Sequence, residues 1–258
     1  MHSMEEKLKA FERLLVVMDE LREKCPWDRE QTLESLRNLT IEETYELADA
    51  IMEQDLEEIR KELGDLMLHI VFYSKIGSEK GAFDVADVLD GICDKLVFRH
   101  PHVFGERKVK DAGEVLENWE ELKMKEGNRS VLSGVPVSLP AMIKAHRIQD
   151  KVRAVGFDWD RREQVWDKVG EEIQEVKHEL NNGQEPGKME EEIGDLLFSL
   201  INAARLYDIE PETALERTNK KFIRRFKYLE KKALEMNRSL KEMTLEEMEE
   251  IWQEAKTI

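Results

Sequence analysis

The chain has 258 residues, a length that fits one large domain or two of about 130 residues. Its 57 acidic and 40 basic side chains give a net charge of −17, and 41% of the residues are hydrophobic. This composition excludes a disordered tail, and no apolar run approaches the roughly 20 residues that span a membrane. The negative charge also opposes binding to a nucleic acid polymer. Cys25 and Cys93 are too few for a disulfide framework, and no secretory signal is visible, so we expect a cytoplasmic protein.

Apolar residues recur at helical spacing, for example at Leu8, Phe11 and Leu15, and no segment shows sustained period-two alternation. We therefore predict an all-α fold. Asp28 and Asp160 each precede Gln or Glu by three residues, which is typical of a capped helix start. The predicted helices cover residues 4–24, 29–53, 55–76, 84–98, 112–126, 140–154, 161–182, 187–207, 211–236 and 244–256.

The sequence divides into two similar halves. Residues 127–140 hold three Ser, two Gly and two Pro, which predicts a linker between domains at 1–126 and 141–258. Trp-Asp-Arg at 27–29 matches the same tripeptide at 159–161, and further matched segments follow in the same order. This ordered repetition indicates duplication of one helical unit.

Acidic residues form the same pattern in each half. Glu-Glu-x-x-Glu is followed, after a gap of 15 or 16 residues, by Glu-x-x-Asp. Side chains three residues apart share a helix face, so we expect carboxylate pairs to face each other across a helical hairpin. Clustered carboxylates stay ionised only beside a cation, and oxygen ligands suit Mg²⁺ or Mn²⁺. The candidate ligands are Glu172, Glu175, Glu192 and Asp195 in the second half, and Glu43, Glu46, Glu62 and Asp65 in the first.

Two other interpretations of the acidic pattern stay open at this point. Acidic helix faces are commonly solvated surface, in which case the chain is a non-enzymatic, dimeric interaction module. A di-iron bundle uses Glu-x-x-His elements, and Glu175-x-x-His178 supplies one. The first half has Asp49 where His178 falls, so the second element that this architecture needs is missing.

Basic and aromatic residues near the C-terminus are candidates for phosphate and base binding. Lys221 and Arg225 share a helix face, where they could bind phosphate oxygens or pair with neighbouring glutamates. Lys188 lies four residues before Glu192 and could reach the same site. Trp252 could stack on a base or anchor a core.

Together, seven segments resemble the MazG family of nucleoside triphosphate pyrophosphohydrolases, in its two-domain form. They run over nearly the whole chain and are highly specific as a set. The segments are CPWDREQT at 25–32, EETYE at 42–46, HPHVFG at 100–105, NWEELK at 118–123, GFDW at 156–159, EEIGD at 191–195 and KFIRRF at 221–226.

The resemblance implies two repeated helical domains, each a small bundle completed by homodimerisation. It also implies Mg²⁺-dependent cleavage of nucleoside triphosphates between the α- and β-phosphates, for clearing aberrant nucleotides or controlling signalling nucleotides. The family's metal ligands correspond to the four second-half carboxylates, with Glu171 and Glu191 beside them. Positions that contact the nucleotide correspond to Lys188, Lys221, Arg225 and Trp252.

The family favours the C-terminal domain as the catalytic unit. The first half departs from the pattern, because Glu58 stands where Lys188 falls. It nevertheless keeps a second candidate site, with Glu42 beside its carboxylates and with Lys95, Arg99 and Trp119 as candidate substrate contacts. Hydrolysis of inorganic pyrophosphate at the same metal cluster is the alternative reaction.

Overall fold

The computed structural model describes residues 1–111, 113–115, 118, 119, 122, 130–182 and 186–257. These residues form helices, turns and loops, and there is no β-strand among them. The all-α prediction is confirmed. The described residues separate into two compact units, Met1–Lys110 and Asp111–Ile258, which we call the N-terminal and C-terminal units.

The four longer helices of the N-terminal unit begin at polar side chains that accept hydrogen bonds from the first backbone N–H groups, and the two short ones begin at proline. Ser3 caps the first helix, Thr32 the third, Asp55 the fourth and Asp84 the fifth. In chain order the helices are α1 (Met4–Lys24), α2 (Pro26–Glu30), α3 (Leu33–Glu53), α4 (Leu56–Glu79), α5 (Val85–Arg99) and α6 (Pro101–Phe104).

The segment that precedes α3 differs from the prediction of one helix over 29–53. Pro26 opens the short helix α2, and a new helix begins only after Thr32, whose side chain accepts a hydrogen bond from the N–H of Ser35. Asp28 lies inside α2, so its predicted role as a helix cap is wrong. The reason is that Thr32 and Ser35 cap each other and so start α3 four residues later.

Helices α3 and α4 form an antiparallel hairpin. Its tight turn is made by Gln54, which adopts a left-handed conformation with φ of 57°, and by Asp55, which caps α4. Packing of α1 against α4 adds Met18 to Phe72 and Ile76 in a buried hydrophobic cluster. This buried packing fixes the position of the hairpin that carries the acidic residues.

The C-terminal unit repeats this design. Its helices are α7 (Ala141–Arg153), α8 (Val165–Asn182), α9 (Pro186–Leu206), α10 (Pro211–Glu235) and α11 (Leu245–Glu254). Helices α8 and α9 pack as a hairpin around Val165, Val169 and Ala203, while α10 packs on α11. Asp160 does not cap α8, because a short 3-10 turn (Arg162–Gln164) starts this segment after Arg161 instead.

The segment between the units is only partly described. Of the predicted helix at 112–126, residues 113–115, 118, 119 and 122 are helical and the others lie outside the described residues. Residues 127–129 of the predicted linker also lie outside them. The described part, 130–140, forms turns that accept hydrogen bonds from Lys144 and Lys151 of α7. The predicted domain boundaries stay a prediction.

No helix among the described residues is long and apolar enough to cross a membrane.

Candidate functional site

Three carboxylates of the C-terminal unit converge between α8 and α9. Glu172 comes from α8, and Glu192 and Asp195 come from one face of α9. One carboxylate oxygen of each lies within 4.8 Å of the others. Glu172 is only 4% exposed. We call this group the C-terminal carboxylate cluster.

The N-terminal unit holds the matching group between α3 and α4. Glu43, Glu62 and Asp65 bring carboxylate oxygens within 4.8 Å of one another. We call them the N-terminal carboxylate cluster. Each hairpin thus gathers one acid of its Glu-Glu-x-x-Glu segment with both acids of its Glu-x-x-Asp segment.

The acids repel one another in the absence of a cation. Burial, followed by the charges of Asp65 and Glu46, raises the pKa of Glu43. Burial and the charges of Glu46 and Glu43 raise the pKa of Glu62. In the C-terminal unit, burial and the charge of Glu172 raise the pKa of Glu175. The N-terminal cluster, and Glu175 beside the C-terminal cluster, therefore favour a bound positive charge.

One oxygen in each cluster is left without a hydrogen bond. Oε2 of Glu62 and Oε2 of Glu172 are buried and have no partner among the described residues. A buried, unpaired carboxylate oxygen is costly, and a divalent cation would satisfy it. The oxygen-only donor set is the kind that Mg²⁺ and Mn²⁺ prefer, so the residues present fit such an ion.

Lys168 supplies a positive charge at the C-terminal cluster. Its Nζ lies 2.7 Å from Oε1 of Glu172 and 3.1 Å from Oε1 of Glu171. Hydrogen bonds to these two glutamates raise the pKa of Lys168. Lys168 is not among the residues predicted from the sequence, although its position four residues before Glu172 on α8 is a usable signal. The N-terminal unit has Leu39 at the matching position.

The other predicted metal ligands lie around the clusters. Glu46 and Glu175 are one turn beyond Glu43 and Glu172 on the same helices, outside the three-membered groups. The charge of Glu46 contributes to the raised pKa of Glu62, and the charge of Glu172 contributes to the raised pKa of Glu175. The remaining residues, Glu42, Glu171 and Glu191, are exposed side chains next to cluster members.

The predicted phosphate-binding residues of α10 lie on a different hairpin from the carboxylates. Lys221 is exposed and Arg225 is half-buried. Trp252 of α11 packs against Phe222, with ring centroids 4.9 Å apart, and borders the hydrophobic cluster around Leu229. Within one chain, Trp252 thus anchors the packing between α10 and α11.

The remaining candidates are placed as follows. Lys188 is exposed in the first turn of α9, four residues before Glu192 of the C-terminal cluster. In the N-terminal unit, Lys95 is exposed and Arg99 is half-buried on α5. Trp119 is described and half-buried.

A cavity of about 700 Å³ adjoins the C-terminal cluster, and Glu172 and Asp195 form part of its wall. Arg205 and Asp158 form another part. The Arg205 guanidinium donates two hydrogen bonds to Asp158, of 3.1 and 2.5 Å, and two to Oδ1 of Asn202. Arg205 is buried, so this network fixes the wall rigidly. Local sequence spacing does not predict this network, because its members lie up to 47 residues apart.

Comparison with known proteins identifies the family. A model of the MazG nucleotide pyrophosphohydrolase domain matches residues 31–104 and again residues 162–229. The first match covers the α3–α4 hairpin with α5 and α6, and the second covers the α8–α9 hairpin with most of α10. The chain belongs to the MazG nucleotide pyrophosphohydrolase family.

Individual relatives cover nearly the whole chain. A protein of Escherichia coli (strain K12) named nucleoside triphosphate pyrophosphohydrolase is 42% identical over 96% of this chain and 98% of its own length. A Thermotoga maritima protein named nucleoside triphosphate pyrophosphohydrolase/pyrophosphatase MazG is 40% identical over 95% of each chain. A crystal structure of a MazG-related protein from Thermotoga maritima matches 44% of this chain and 98% of its own, with 27% identity and a TM-score of 0.40.

Proposed function

We propose that this protein hydrolyses nucleoside triphosphates between the α- and β-phosphates, releasing a nucleoside monophosphate and pyrophosphate, with Mg²⁺ as cofactor and Mn²⁺ as a substitute. The observation that carries the proposal is the C-terminal carboxylate cluster, with the buried and unpaired Oε2 of Glu172 at its centre. Membership of the family and the names of two relatives support the same activity.

Glu172, Glu192 and Asp195 would hold the cation, with Glu175 beside them. A bound divalent cation supplies charge neutralisation for phosphate oxygens and lowers the pKa of a coordinated water. Glu175 lies one turn beyond Glu172 on α8, so its carboxylate faces the same cation site and can accept a proton from a water bound there. We propose that Glu175 acts as the general base and accepts the proton that the attacking water loses.

Basic side chains complete the proposed chemistry. Lys168 already pairs with Glu172 and lies in the wall of the cavity, where its charge can meet a phosphate. Lys188, Lys221 and Arg225 would neutralise the charge that develops on the leaving pyrophosphate. Nε of Arg225 is buried without a partner among the described residues, which leaves a donor for an anion.

The activity is tested with the full chain, Mg²⁺ and each of the common nucleoside triphosphates. We expect pyrophosphate release that stops when EDTA is added. Absence of release with every triphosphate would contradict the proposal. The same assay with pyrophosphate as the substrate tests the second candidate activity, which the name of the Thermotoga maritima relative favours. If pyrophosphate is hydrolysed to phosphate and none of the triphosphates is cleaved, the site is assigned to pyrophosphate hydrolysis.

Mg²⁺ should stabilise the folded protein. Because the carboxylates converge only in the folded chain, an ion at 100 times its dissociation constant adds about 2.7 kcal/mol to the free energy of unfolding. The melting temperature in Mg²⁺ and in EDTA measures this effect, with K⁺ at equal ionic strength as the control. An unchanged melting temperature would favour the non-enzymatic interpretation, in which the acidic faces are only solvated.

We also propose that the protein is a homodimer. Large apolar side chains are exposed on adjacent helices of the C-terminal unit, including Leu197 at 50%, Phe222 at 56% and Ile223 at 51%. Exposed apolar surface of this kind marks association sites. A Cβ at Gly194, the residue before Asp195 on α9, would meet nothing within 4 Å. No described part of the same chain therefore packs closely against this glycine, which leaves room for a helix of a second chain.

Light scattering with size-exclusion chromatography tests the dimer. We expect twice the mass of the chain for the natural protein and a monomer for Leu197→Glu, because the new charge would lie in the interface. Leu234→Glu is the matched control, since Leu234 is 77% exposed near the end of α10. A monomeric natural protein would contradict the proposal.

The cytoplasmic location and the choice between nucleotide clearance and control of signalling nucleotides stay predictions.

A further inference from the structure

Gln149 presents an unsatisfied polar atom to the cavity beside the C-terminal cluster. Its side chain is 3% exposed, and its Nε2 donates a hydrogen bond of 2.8 Å to the carbonyl oxygen of Phe198. That bond fixes the orientation of the amide. The other amide atom, Oε1, is buried and has no partner among the described residues. A buried acceptor without a donor destabilises a fold, so its presence in a cavity wall points to a ligand that carries a donor.

The rest of the wall suits a flat, partly polar ligand. Trp159 and Phe198 supply aromatic surface, and Asn202 supplies an amide whose Oδ1 is held by two hydrogen bonds from Arg205. The volume of about 700 Å³ lies within the range of small-molecule sites. Aromatic walls with a few oriented amides are suited to a nucleic acid base.

In the N-terminal unit, the region comparable to this cavity is filled by hydrophobic side chains. Phe72 follows Asp65 by seven residues, as Asn202 follows Asp195. Met18 is buried on α1 nine residues before Trp27, and Gln149 is buried on α7 ten residues before Trp159. Met18 and Phe72 are 1% and 2% exposed and belong to one hydrophobic cluster. At comparable places in the two units, the N-terminal unit thus has two core side chains and the C-terminal unit has two amides, beside the cluster that also has Lys168.

We propose that this cavity receives the base of the nucleotide and that Oε1 of Gln149 accepts a hydrogen bond from an N–H group of that base. The inference rests on the proposed function and specifies how the same site binds its substrate. A base in the cavity leaves the phosphates beside Glu172 and Asp195, because both residues belong to its wall. All four common bases carry an N–H group, so this contact distinguishes a nucleotide from a bare polyphosphate.

Calorimetry with the full chain and Mg²⁺ tests the proposal, using AMP, GMP, CMP and UMP as probes and pyrophosphate as the comparison ligand. Gln149→Met keeps the length of the side chain but removes the acceptor, and it restores the residue type of Met18. We expect the affinity for the best monophosphate to fall about 10- to 100-fold. Binding of pyrophosphate should be unchanged. The melting temperature without ligand should be equal or higher, because a buried unpaired acceptor is gone.

Equal monophosphate affinities in the two proteins would overturn the proposal, as would natural protein that binds none of the four. A parallel loss of pyrophosphate affinity would show that Gln149 supports the carboxylates rather than the base. If Gln149→Met fails to fold, Gln149→Asn withdraws the acceptor by one methylene and is expected to give a smaller loss in the same direction. These binding measurements are independent of turnover, so failure of the proposed reaction would be seen separately, as absence of monophosphate formation by the natural protein.

Discussion

Replacing Glu172 by Gln should lower triphosphate turnover about 10³-fold while leaving the helical fold intact. The substitution keeps the shape of the side chain but removes a charge that is 4% exposed and lies within 4.8 Å of two further carboxylates. The cation site loses a ligand charge, and the partner of Lys168 at 2.7 Å loses its negative charge. Turnover in saturating Mg²⁺ measures the loss, and circular dichroism checks the fold. Activity equal to that of the natural protein would contradict the assignment.

Two further variants localise the effect. Glu179→Gln removes the same charge from the same helix outside the cluster, and we expect less than about a twofold change. Glu43→Gln makes the matching change in the N-terminal cluster. We expect a loss of less than about tenfold, because that unit has Leu39 and Glu58 where the C-terminal unit has Lys168 and Lys188. A larger loss for Glu43→Gln than for Glu172→Gln would move the catalytic centre to the N-terminal unit.

Replacing Asp158 by Asn should destabilise the C-terminal unit by about 3 kcal/mol. The side chains of Arg205 and Asp158 are 5% and 19% exposed, so the substitution leaves a guanidinium charge buried without its counter-ion. Chemical denaturation measures the free energy of unfolding. Glu163→Gln is the control in the same unit, because Glu163 and its partner Arg162 are 64% and 58% exposed. An exposed pair of this kind contributes less than about 1 kcal/mol.

The contribution of Asp158 also depends on pH. Burial raises the pKa of Asp158, but hydrogen bonds from Arg205 and from the backbone of Trp159 outweigh it, and the net pKa is lowered. A carboxylate with a lowered folded pKa stabilises the protein above its ordinary pKa of about 4, and this stabilisation is lost as the pH falls through the folded pKa. The difference in stability between natural protein and Asp158→Asn should therefore be largest near neutral pH and shrink in acid. A difference that does not change with pH would contradict this origin.

The helices and the acidic hairpins were predictable because both rest on local spacing. Apolar periodicity located α4 to within three residues of its observed bounds, and the Glu-x-x-Asp spacing placed Glu192 with Asp195 on one face. The break before α3 was missed because Thr32 and Ser35 together outcompete Asp28 as a helix start. Local rules therefore predicted that a helix is present here but not the residue at which it begins.

The surroundings of the cluster depend on long-range packing and could not be predicted in the same way. Gln149 meets Phe198, and Asp158 meets Arg205, only after α7, α8 and α9 have packed. Gln149 sits on a helix whose sequence alone gives no sign that its amide is buried. The family resemblance predicted three further site residues, Lys221, Arg225 and Trp252. Within one chain they lie on α10 and α11, whereas the carboxylates lie on α8 and α9.

The di-iron interpretation loses support from the geometry. His178 is exposed and lies outside the three-membered cluster that the described residues form around Glu172. That cluster consists of carboxylates alone, which favours a hard cation over the mixed nitrogen and oxygen ligands of such centres.

Phosphorus NMR of a single reaction mixture tests the central claim most directly, because it identifies both products of the cleavage. The natural protein, Mg²⁺ and the most rapidly consumed triphosphate should give a nucleoside monophosphate and pyrophosphate in equal amounts, with neither product formed when EDTA is present. Formation of a nucleoside diphosphate and inorganic phosphate would place the cleavage between the β- and γ-phosphates and contradict the account.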